Sequence, residues 1–310
     1  MRLIRRPAEE ARILPPGCVA TIGAFDGLHL GHQRILARVL AEARGRGLAA
    51  LAFTFEPTPR EYFSQGRPPA RLTRLREKVG LLAGLGLDWM FCPPFDARME
   101  ALEPGEFIER LLVRTLRVRH LVVGDDFRFA RGRAGTLADL EAAGARFGFG
   151  VEQVGSVVID GIRVSSTAVR EALASGDMAG ARRLLGRHYA MTGRVVPGRR
   201  LGRQLGMPTA NLNLCRRQSA LAGIFAVRVA GLGAGLLPGV ASVGTRPTID
   251  GVEPLLEVHV FDFDLDIYGR YIEVQFVARL RDELKFPDLP ALQRQMHRDA
   301  EAARRILAAA

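Results

Sequence analysis

The chain has 310 residues, more than one typical hydrophobic core supports, so two domains are expected. Hydrophobic residues make up 48% and charged residues 25% of the sequence, as in soluble globular proteins, and the formal net charge is +11. Because this charge comes almost entirely from arginines dispersed along the chain, with Lys78 and Lys285 as the only lysines, it forms no basic stripe and no nucleic-acid partner is expected.

The cysteines and the apolar stretches bear on the compartment. Cys18, Cys92 and Cys215 are scattered and form no Cys-x-x-Cys pair, which indicates neither a disulfide framework nor a zinc site. The N-terminus lacks an apolar signal core. The uncharged stretch 229–245 contains five glycines and a proline, which favours a strand, a turn and a strand over a membrane span. We therefore expect a cytoplasmic protein with no membrane partner.

The first part of the chain alternates short apolar runs with helix-like segments. The apolar runs are residues 19–22, 49–55, 89–92, 120–123 and 151–158. The helix-like segments are residues 33–44, 75–85, 104–114, 137–145, 167–174 and 178–185. This alternation predicts an α/β domain with a parallel sheet covered on both faces. Ligands of such sheets bind beyond the carboxyl ends of the strands.

The first apolar run is followed by the sequence G-A-F-D-G-L-H-L-G-H at 23–32. It predicts a strand, a tight glycine turn and the start of a helix. His29 and His32 are three residues apart, so we expect them to share one face of the first helical turn. A helix N-terminus attracts phosphate, and two imidazoles beside it can bond a nucleotide phosphate as its charge changes. The alternative is a glycine turn with two surface histidines.

A second motif, R-V-S-S-T-A-V-R, occupies residues 163–170. Ser166 and Thr167 at a helix start can offer hydroxyls to a phosphate, and Arg170 can add its planar guanidinium one turn later. Alone, the motif would more simply be a helix cap with a solvent-facing arginine. Paired with His-x-Gly-His it indicates phosphate binding. Asp126 follows another predicted strand, where it either holds a ribose, an adenine or a metal, or is a turn carboxylate.

From Tyr189 onward, strand-like runs are separated by glycine- and proline-rich turns. The runs are residues 189–196, 224–229, 239–243, 255–263 and 271–277. They predict an antiparallel β domain, a small barrel. A last amphipathic helix is predicted near 290–307, with Leu292, Met296 and Ile306 directed inward. The domain boundary is expected at 186/187, which gives domains 1–186 and 187–310.

The barrel region contains a glycine-rich sequence that ends in Pro-Thr-Ala-Asn. The residues that matter are Gly198, Gly202, Gly206, Pro208, Thr209 and Asn211. Glycines let a backbone approach phosphates closely. Thr209 and Asn211 alternate with apolar residues, so both should face one way on a strand, and their oxygens are hard ligands that suit Mg²⁺. No Gly-Lys-Ser/Thr follows, so this is not a Walker P-loop, and alone it is equally a glycine-rich hairpin.

A carboxylate on a later strand completes the candidates. In E-V-H-V-F-D-F at 257–263, alternation places Glu257, His259 and Phe261 on one face. Glu257 is a candidate base for a hydroxyl nucleophile, for which position matters more than a large pKa shift. We expect His259 to be structural.

The order of these motifs resembles the bifunctional riboflavin kinase/FAD synthetase family of bacteria, over nearly the whole chain. The motifs are G-A-F-D-G-L-H-L-G-H, G-D-D-F-R-F, V-S-S-T-A-V-R, L-G-M-P-T-A-N-L, G-V-A-S-V-G-T-R-P-T and E-V-H-V-F-D-F-D. The resemblance implies a Rossmann-like nucleotidyltransferase domain that adenylylates FMN with ATP, giving FAD and pyrophosphate. It also implies a Greek-key-type flavokinase barrel that phosphorylates riboflavin to FMN. ATP would be the co-substrate, Mg²⁺ the cofactor, and riboflavin, FMN and FAD the other ligands.

The resemblance also implies roles for individual residues. His29, His32 and Glu257 are the candidate catalytic residues. The adenylyltransferase would bind ATP or its phosphates through Gly23, Phe25, Asp126, Arg163, Ser166, Thr167 and Arg170. The kinase would bind ATP through Gly198, Gly202, Gly206 and Pro208, and Mg²⁺ through Thr209 and Asn211. The alternative is a single-activity nucleotidyltransferase whose β domain binds a flavin or another ligand, which would need neither Glu257 nor Pro-Thr-Ala-Asn.

Two positions depart from the family pattern. The family usually has glycine after F-x-F, where this chain has Ala130, and a Cβ there would crowd the turn if φ is positive. Thr58 stands where relatives often carry a bulkier polar residue. Neither departure touches a candidate catalytic group.

Overall fold

The structure, a computed structural model, describes residues 1–6, 15–64, 66, 68–198, 202, 205–233, 235–248 and 251–309. The chain forms two compact units. The first consists of Met1–Pro69 and Leu75–Val164, and the second of Ala70–Arg74 and Ser165–Ala310. The helices of residues 165–186 thus belong with the barrel, and the domain boundary at 186/187 stays a prediction.

The first unit is built on a six-stranded sheet. Its strands are β1 (Arg2–Ile4), β2 (Cys18–Ile22), β3 (Ala49–Phe53), β4 (Trp89–Phe91), β5 (Val118–Gly124) and β6 (Gly150–Val154). Their order is β1-β4-β3-β2-β5-β6, and every neighbouring pair is parallel, as predicted. From β2 the chain proceeds through β3 to β4, and then returns to place β5 on the other side of β2. The strand order therefore reverses between β2 and β5, where such sheets bind their ligands.

Helices cover both faces of this sheet. They are α1 (Leu30–Arg46), α2 (Pro59–Tyr62), α3 (Leu75–Gly84), α4 (Ala97–Glu100), α5 (Pro104–Phe107), a π-helical segment (Ile108–Thr115) and α6 (Leu137–Phe147). On one face, Leu36 and Val39 of α1 pack with Leu82 of α3. On the other, Leu112 of the π-helical segment packs with Leu140 of α6. The predicted two-faced covering is confirmed.

The apolar run predicted as one strand at 151–158 is two elements. After β6, the chain forms a small hairpin of β7 (Val158–Ile159) and β8 (Ile162–Arg163). Asp160 and Gly161 form its turn with φ of +51° and +76°, the positive values that favour Asp-Gly in two-residue hairpins. The single-strand prediction was wrong because the strand ends at Val154, and Ser156 after it hydrogen-bonds the Asp125 carboxylate instead of continuing the strand.

The second unit begins with helices α7 (Ser166–Ser175) and α8 (Met178–Leu185) and continues into the barrel. Its strands are β9 (Tyr189–Val196), β10 (Ala210–Asn213), β11 (Gly223–Ala230), β12 (Leu237–Thr248), β13 (Gly251–Val260) and β14 (Tyr271–Arg281). They close in the order β10-β13-β12-β11-β14-β9, with antiparallel pairing throughout. The predicted small antiparallel barrel is confirmed.

The C-terminal helix α9 (Leu289–Ala309) packs on the barrel. Ala303 and Leu307 are buried in an apolar cluster with strand residues such as Ala226. Met296 and Ile306 lie against this cluster as predicted, whereas the half-buried Leu292 is not part of it. In the described parts of the chain, no helix combines the length and apolar character that a membrane crossing requires.

The three cysteines are free thiols, with Cys18 and Cys92 buried and Cys215 exposed. Burial raises the pKa of the Cys18 thiol to about 12, so this side chain is a core residue and not a nucleophile.

Candidate functional site

The histidine motif joins the carboxyl end of β2 to the N-terminus of α1. His29 is the residue that caps α1 and does not lie in its first turn, so the prediction that both histidines are helical was wrong for His29. Its Nδ1 accepts a hydrogen bond from the backbone N–H of His32 at 3.3 Å. The two rings are stacked, with centroids 3.7 Å apart and planes 19° apart. Because Nδ1 of His29 accepts, the proton of its neutral ring lies on Nε2.

The close packing of this turn explains its glycines. A Cβ on Gly31 would lie 3.2 Å from the His29 ring and 3.5 Å from the Val164 carbonyl oxygen. A Cβ on Gly23 would lie 3.1 Å from the ring of Phe25. Phe25 is only 1% exposed, and its ring meets that of His32 edge-on, with centroids 5.3 Å apart. The buried ring of Phe25 thus supports the turn, and the participation of Phe25 in ATP binding stays a prediction.

The electrostatics of the turn favour a bound anion. Burial lowers the pKa of His32 well below its usual value, and the charges of His29 and Lys78 lower it further. Its Nδ1 is buried, with no hydrogen-bond partner among the described residues. The first turn of α1 carries no acidic side chain that would offset the partial positive charge of the helix N-terminus. A neutral His32 imidazole beside a positive helix end is suited to donating a hydrogen bond to a phosphate.

The carboxyl end of β5 carries the acidic pair Asp125 and Asp126. Arg163 donates from Nη2 to Oδ2 of Asp126 at 2.8 Å and from Nε to the Ser156 hydroxyl at 2.8 Å. Hydrogen bonds from the Ser156 hydroxyl and backbone, and then the charge of Arg163, lower the pKa of Asp125. Asp126 and Arg163, both predicted to bind ATP, are thus brought together as an exposed ion pair beside the strand-order reversal.

Ser165 caps α7 by accepting from the backbone N–H of Ala168 at 3.1 Å. Ser166 and Thr167 therefore occupy the first turn that the sequence motif predicted for them. Arg170 donates from Nε to the Ala70 carbonyl at 2.6 Å, so part of its guanidinium holds the backbone of the 70–74 segment. The participation of Ser166, Thr167 and Arg170 in phosphate binding stays a prediction.

On the barrel, Asn211 of β10 lies directly opposite Glu257 of β13, and Glu257 lies opposite Ser242 of β12. Their chain neighbours, such as Leu212 and Leu256, are buried inside the barrel. Because side chains alternate along a strand, Asn211, Ser242 and Glu257 form a polar row on the outer face. An amide and a carboxylate are therefore adjacent on one wall.

The glycine-rich sequence approaches this wall closely. A Cβ on Gly198 would lie 2.2 Å from the Asn211 amide nitrogen. A Cβ on Gly202 would lie 2.4 Å from the Met207 carbonyl and 3.2 Å from the Thr209 hydroxyl oxygen. Gly206 has a φ of +77°, which favours glycine. Arg199, Arg200, Leu201, Arg203 and Gln204 of this motif lie outside the described residues.

His259 stabilises the entry to β10. Its Nδ1 donates to the carbonyl of Pro208 at 2.8 Å, which fixes the residue before Thr209 against β13. His259 is thus engaged with the backbone, as its structural interpretation requires. Thr209 itself precedes β10, so only Asn211 of the predicted pair lies within the strand.

The two departures from the family pattern have distinct local settings. Ala130 has φ of +65° and ψ of −170°, so the condition under which its Cβ was expected to be strained is met. Thr58 caps α2 in a capping box, in which its hydroxyl and the Glu61 carboxylate bond each other's backbone N–H groups.

Sequence reasoning missed Lys78. This side chain is 2% exposed and donates from Nζ to the Ala24 carbonyl at 2.5 Å and to the Thr54 hydroxyl at 3.4 Å. One signal was available, because Lys78 is one of only two lysines in a sequence that otherwise uses arginine.

Comparison with known proteins agrees with the two folds described above, because a different family model matches each part of the chain. A family model described as FAD synthetase matches residues 12–168, and one described as riboflavin kinase matches residues 185–307. The chain belongs to the bifunctional riboflavin kinase/FAD synthetase family. The proteins named bifunctional riboflavin kinase/FMN adenylyltransferase from Escherichia coli K12 and Haemophilus influenzae are 47% and 44% identical to it. Each alignment covers 98% of this chain and 97% or 98% of the relative.

A solved structure extends the likeness to three dimensions. A crystal structure from Streptococcus pneumoniae, of a protein described as a macrolide-efflux protein, superposes with a TM-score of 0.82. It is 29% identical, and the match covers 98% of both chains. The efflux description is of that protein, and the likeness supports the shared fold.

Proposed function

We propose that the two reactions of this bifunctional enzyme are divided between the parallel sheet and the barrel. The stacked histidines at the N-terminus of α1 serve the adenylylation of FMN. The polar row of Asn211 and Glu257 serves the phosphorylation of riboflavin. The observation that carries the proposal is that each fold presents its own polar set, the stacked histidines beside the strand-order reversal of the sheet and the paired Asn211 and Glu257 on the barrel.

In the adenylylation, a phosphate oxygen of FMN attacks the α-phosphorus of ATP, the bond to the bridging oxygen breaks, and pyrophosphate leaves with FAD as the product. Negative charge grows on the α-phosphate oxygens and on the leaving group. The Nε2–H of His29 and the ring of His32 would donate to these oxygens beside the positive end of α1. Asp126, Arg163, Ser166, Thr167 and Arg170 are proposed to bind the rest of the nucleotide.

In the phosphorylation, the terminal ribityl hydroxyl of riboflavin attacks the γ-phosphorus of ATP and ADP leaves. Glu257 would accept the hydroxyl proton as the new P–O bond forms. Its position opposite Asn211 places this base beside the group proposed to hold the metal–nucleotide complex. This pairing favours a working kinase barrel over one that only binds a ligand.

Mg²⁺ fits the chemistry of the donors present. Thr209 and Asn211 offer a hydroxyl and an amide oxygen, and the lack of side chains at Gly198 and Gly202 lets the backbone approach these donors closely. Among the described residues there is no cluster of three or more His, Cys, Asp or Glu that could hold a metal, so phosphate oxygens would supply further ligands. When bound, the ion would neutralise charge on the transferred phosphoryl group.

The test is to incubate the protein with riboflavin, ATP and Mg²⁺ and to separate riboflavin, FMN and FAD by chromatography. FMN should appear first and FAD after it, and chelation of Mg²⁺ should stop both products. Conversion of FMN to FAD with no conversion of riboflavin to FMN would contradict the proposal and support the single-activity alternative. We further propose a cytoplasmic location and no nucleic-acid partner, so a gel-shift titration at physiological salt should show no tight complex.

A further inference from the structure

The buried lysine on α3 is unexplained by packing alone. Lysine is almost never fully buried unless it is paired, because desolvating an ammonium group is costly. Lys78 is nevertheless 2% exposed, and its Nζ donates to the Ala24 carbonyl and to the Thr54 hydroxyl. These acceptors belong to the turn after β2 and to the residue after β3, so one ammonium joins two adjacent strand ends.

The residue type is informative in this particular chain. The sequence has 44 basic residues other than histidine, of which only Lys78 and Lys285 are lysines. At positions where either basic residue would suffice, this sequence has an arginine. A lysine kept at a buried position therefore indicates a need for a compact ammonium that donates in several directions, which a planar guanidinium does not satisfy.

The location of the charge connects it to the histidine pair. Burial lowers the pKa of the His32 ring most, and the charges of His29, at the cap of α1, and of Lys78, on α3, lower it further. The turn also contains the buried carboxyl of Asp26. Ala24, which Lys78 holds, lies between Gly23 and Phe25, whose ring contacts both Gly23 and His32. The Ala24 backbone is thus connected to the His32 ring through the packing of Phe25.

We propose that Lys78 is a positioning residue for adenylyl transfer, which holds the turn that orients His29 and His32. This inference rests on the proposed role of the histidines. Lys78 acts through them and through the Ala24 backbone.

Three variants separate the charge of Lys78 from its shape. Lys78→Met keeps the length and removes the charge. Lys78→Arg keeps the charge but places it on a planar guanidinium. Lys285→Met removes the exposed lysine as a matched control. Riboflavin kinase activity is measured on each variant, since it reports on the barrel in the same protein. FAD formation from FMN and ATP is measured from about pH 5 to 8, where an unperturbed histidine titrates.

The inference predicts different results for each variant. Lys78→Met should lower kcat for FAD formation by roughly 10²-fold, the size expected when catalytic groups are displaced by about 1 Å, and should change KM for ATP less. Removing the neighbouring positive charge should raise the pKa of His32. Proton NMR of the imidazole resonances measures this pKa, and the resonance that is absent in His32→Gln is assigned to His32. Lys78→Arg should also lower kcat but leave the His32 pKa low. Lys285→Met should match the unsubstituted protein throughout.

The outcomes distinguish this inference from the proposed function. If His32→Gln forms FAD at the unsubstituted rate, the proposed function of the histidines fails. If His32→Gln is inactive while Lys78→Met retains both its rate and its His32 pKa, only the role of Lys78 fails. Should Lys78→Met not fold, Thr54→Val keeps shape and charge but removes one acceptor of Lys78, together with the 3.4 Å hydrogen bond that the Thr54 hydroxyl donates to the Ala24 carbonyl. A several-fold lower kcat in Thr54→Val is then expected, and an unchanged kcat would overturn the inference.

Discussion

Arg281, the last residue of β14, holds Asp299 of α9 in a bidentate ion pair, with Nε 3.0 Å from Oδ1 and Nη2 2.6 Å from Oδ2. The two side chains are only 18% and 9% exposed. Gln295 donates a further hydrogen bond to the carboxylate at 2.9 Å. The C-terminal helix is thus fastened to the barrel by a shielded polar contact as well as by the apolar cluster around Ala303.

Removing one member of this pair should destabilise the barrel strongly. Asp299→Ala leaves Arg281 shielded from water without its carboxylate, which typically costs about 3–5 kcal/mol. The free energy of unfolding in urea, followed through a probe on the barrel, measures the loss. Asp262→Ala is the matched control, because Asp262 also forms a two-bond pair with an arginine, Arg304, but at an exposed position. Equal effects of the two substitutions would show that shielding does not decide the strength of the Arg281 pair.

Substitution of the histidines should separate the two activities. His29→Ala and His32→Ala each remove a ring donor at the N-terminus of α1, and loss of one such donor typically lowers the rate by ~10²–10³-fold. FAD formation from FMN and ATP should fall accordingly, while phosphorylation of riboflavin continues, as chromatography of the flavins would show. Wild-type FAD formation by both variants would exclude the assigned role.

The opposite separation is expected for the barrel. Glu257→Gln preserves the size of the side chain opposite Asn211 but removes the base. FMN formation should stop, ATP binding should remain largely intact, and added FMN should still be converted to FAD. Flavin chromatography and an ATP titration measure these three properties. Near-normal kinase turnover in Glu257→Gln would show that another group accepts the proton.

Local sequence signals were sufficient for much of the fold. The helix at Met178–Leu185 and the strand at Tyr189–Val196 have the predicted bounds, because clear periodicity there ends at Gly186, whose φ of +71° closes the helix. The strand–turn–helix at the histidine motif was also predictable. By contrast β1 was missed, since Arg2–Ile4 is too short to show a period and is a strand only because it pairs with β4.

The sequence predicted which residues form the candidate site better than it predicted how their side chains are arranged. Spacing alone placed His29 in the helix, whereas its ring caps the helix and stacks on His32. The pairing of Arg163 with Asp126 depends on the Asp160-Gly161 hairpin turn, which brings distant segments together. Burial of Lys78 is a tertiary property that no local pattern reports.

Restoring glycine at position 130 should stabilise the first unit. Ala130 has φ of +65° and ψ of −170°, a region that only glycine adopts readily and that costs other residues of order 1–3 kcal/mol. Ala130→Gly relieves this strain, while the added freedom of the unfolded chain offsets about 0.5–1 kcal/mol of the gain. Thermal unfolding of the first unit should therefore shift to higher temperature. A lower unfolding temperature would mean that the Ala130 methyl contributes more by packing than its backbone loses by strain.

The two activities should be separable, and the structure suggests how the division is best made. The barrel closes its own edges and buries its own core, so a fragment of residues 187–310 is predicted to fold, to convert riboflavin to FMN and to make no FAD. However, α7 and α8 belong to the same compact unit as the barrel.

The fragment of residues 187–310 should therefore be compared with a longer fragment, residues 165–310, that includes α7 and α8. The shorter fragment loses Met178, Leu184 and Leu185 of α8, which are buried and each contribute about 1.5–3 kcal/mol when fully shielded. It should unfold at lower urea concentration than residues 165–310, while both phosphorylate riboflavin, because Thr209, Asn211 and Glu257 are present in each. Urea titration and flavin chromatography measure the two properties. If both fragments are folded and bind ATP yet neither forms FMN, the kinase site needs the first unit, and the assignment of one reaction to each fold fails.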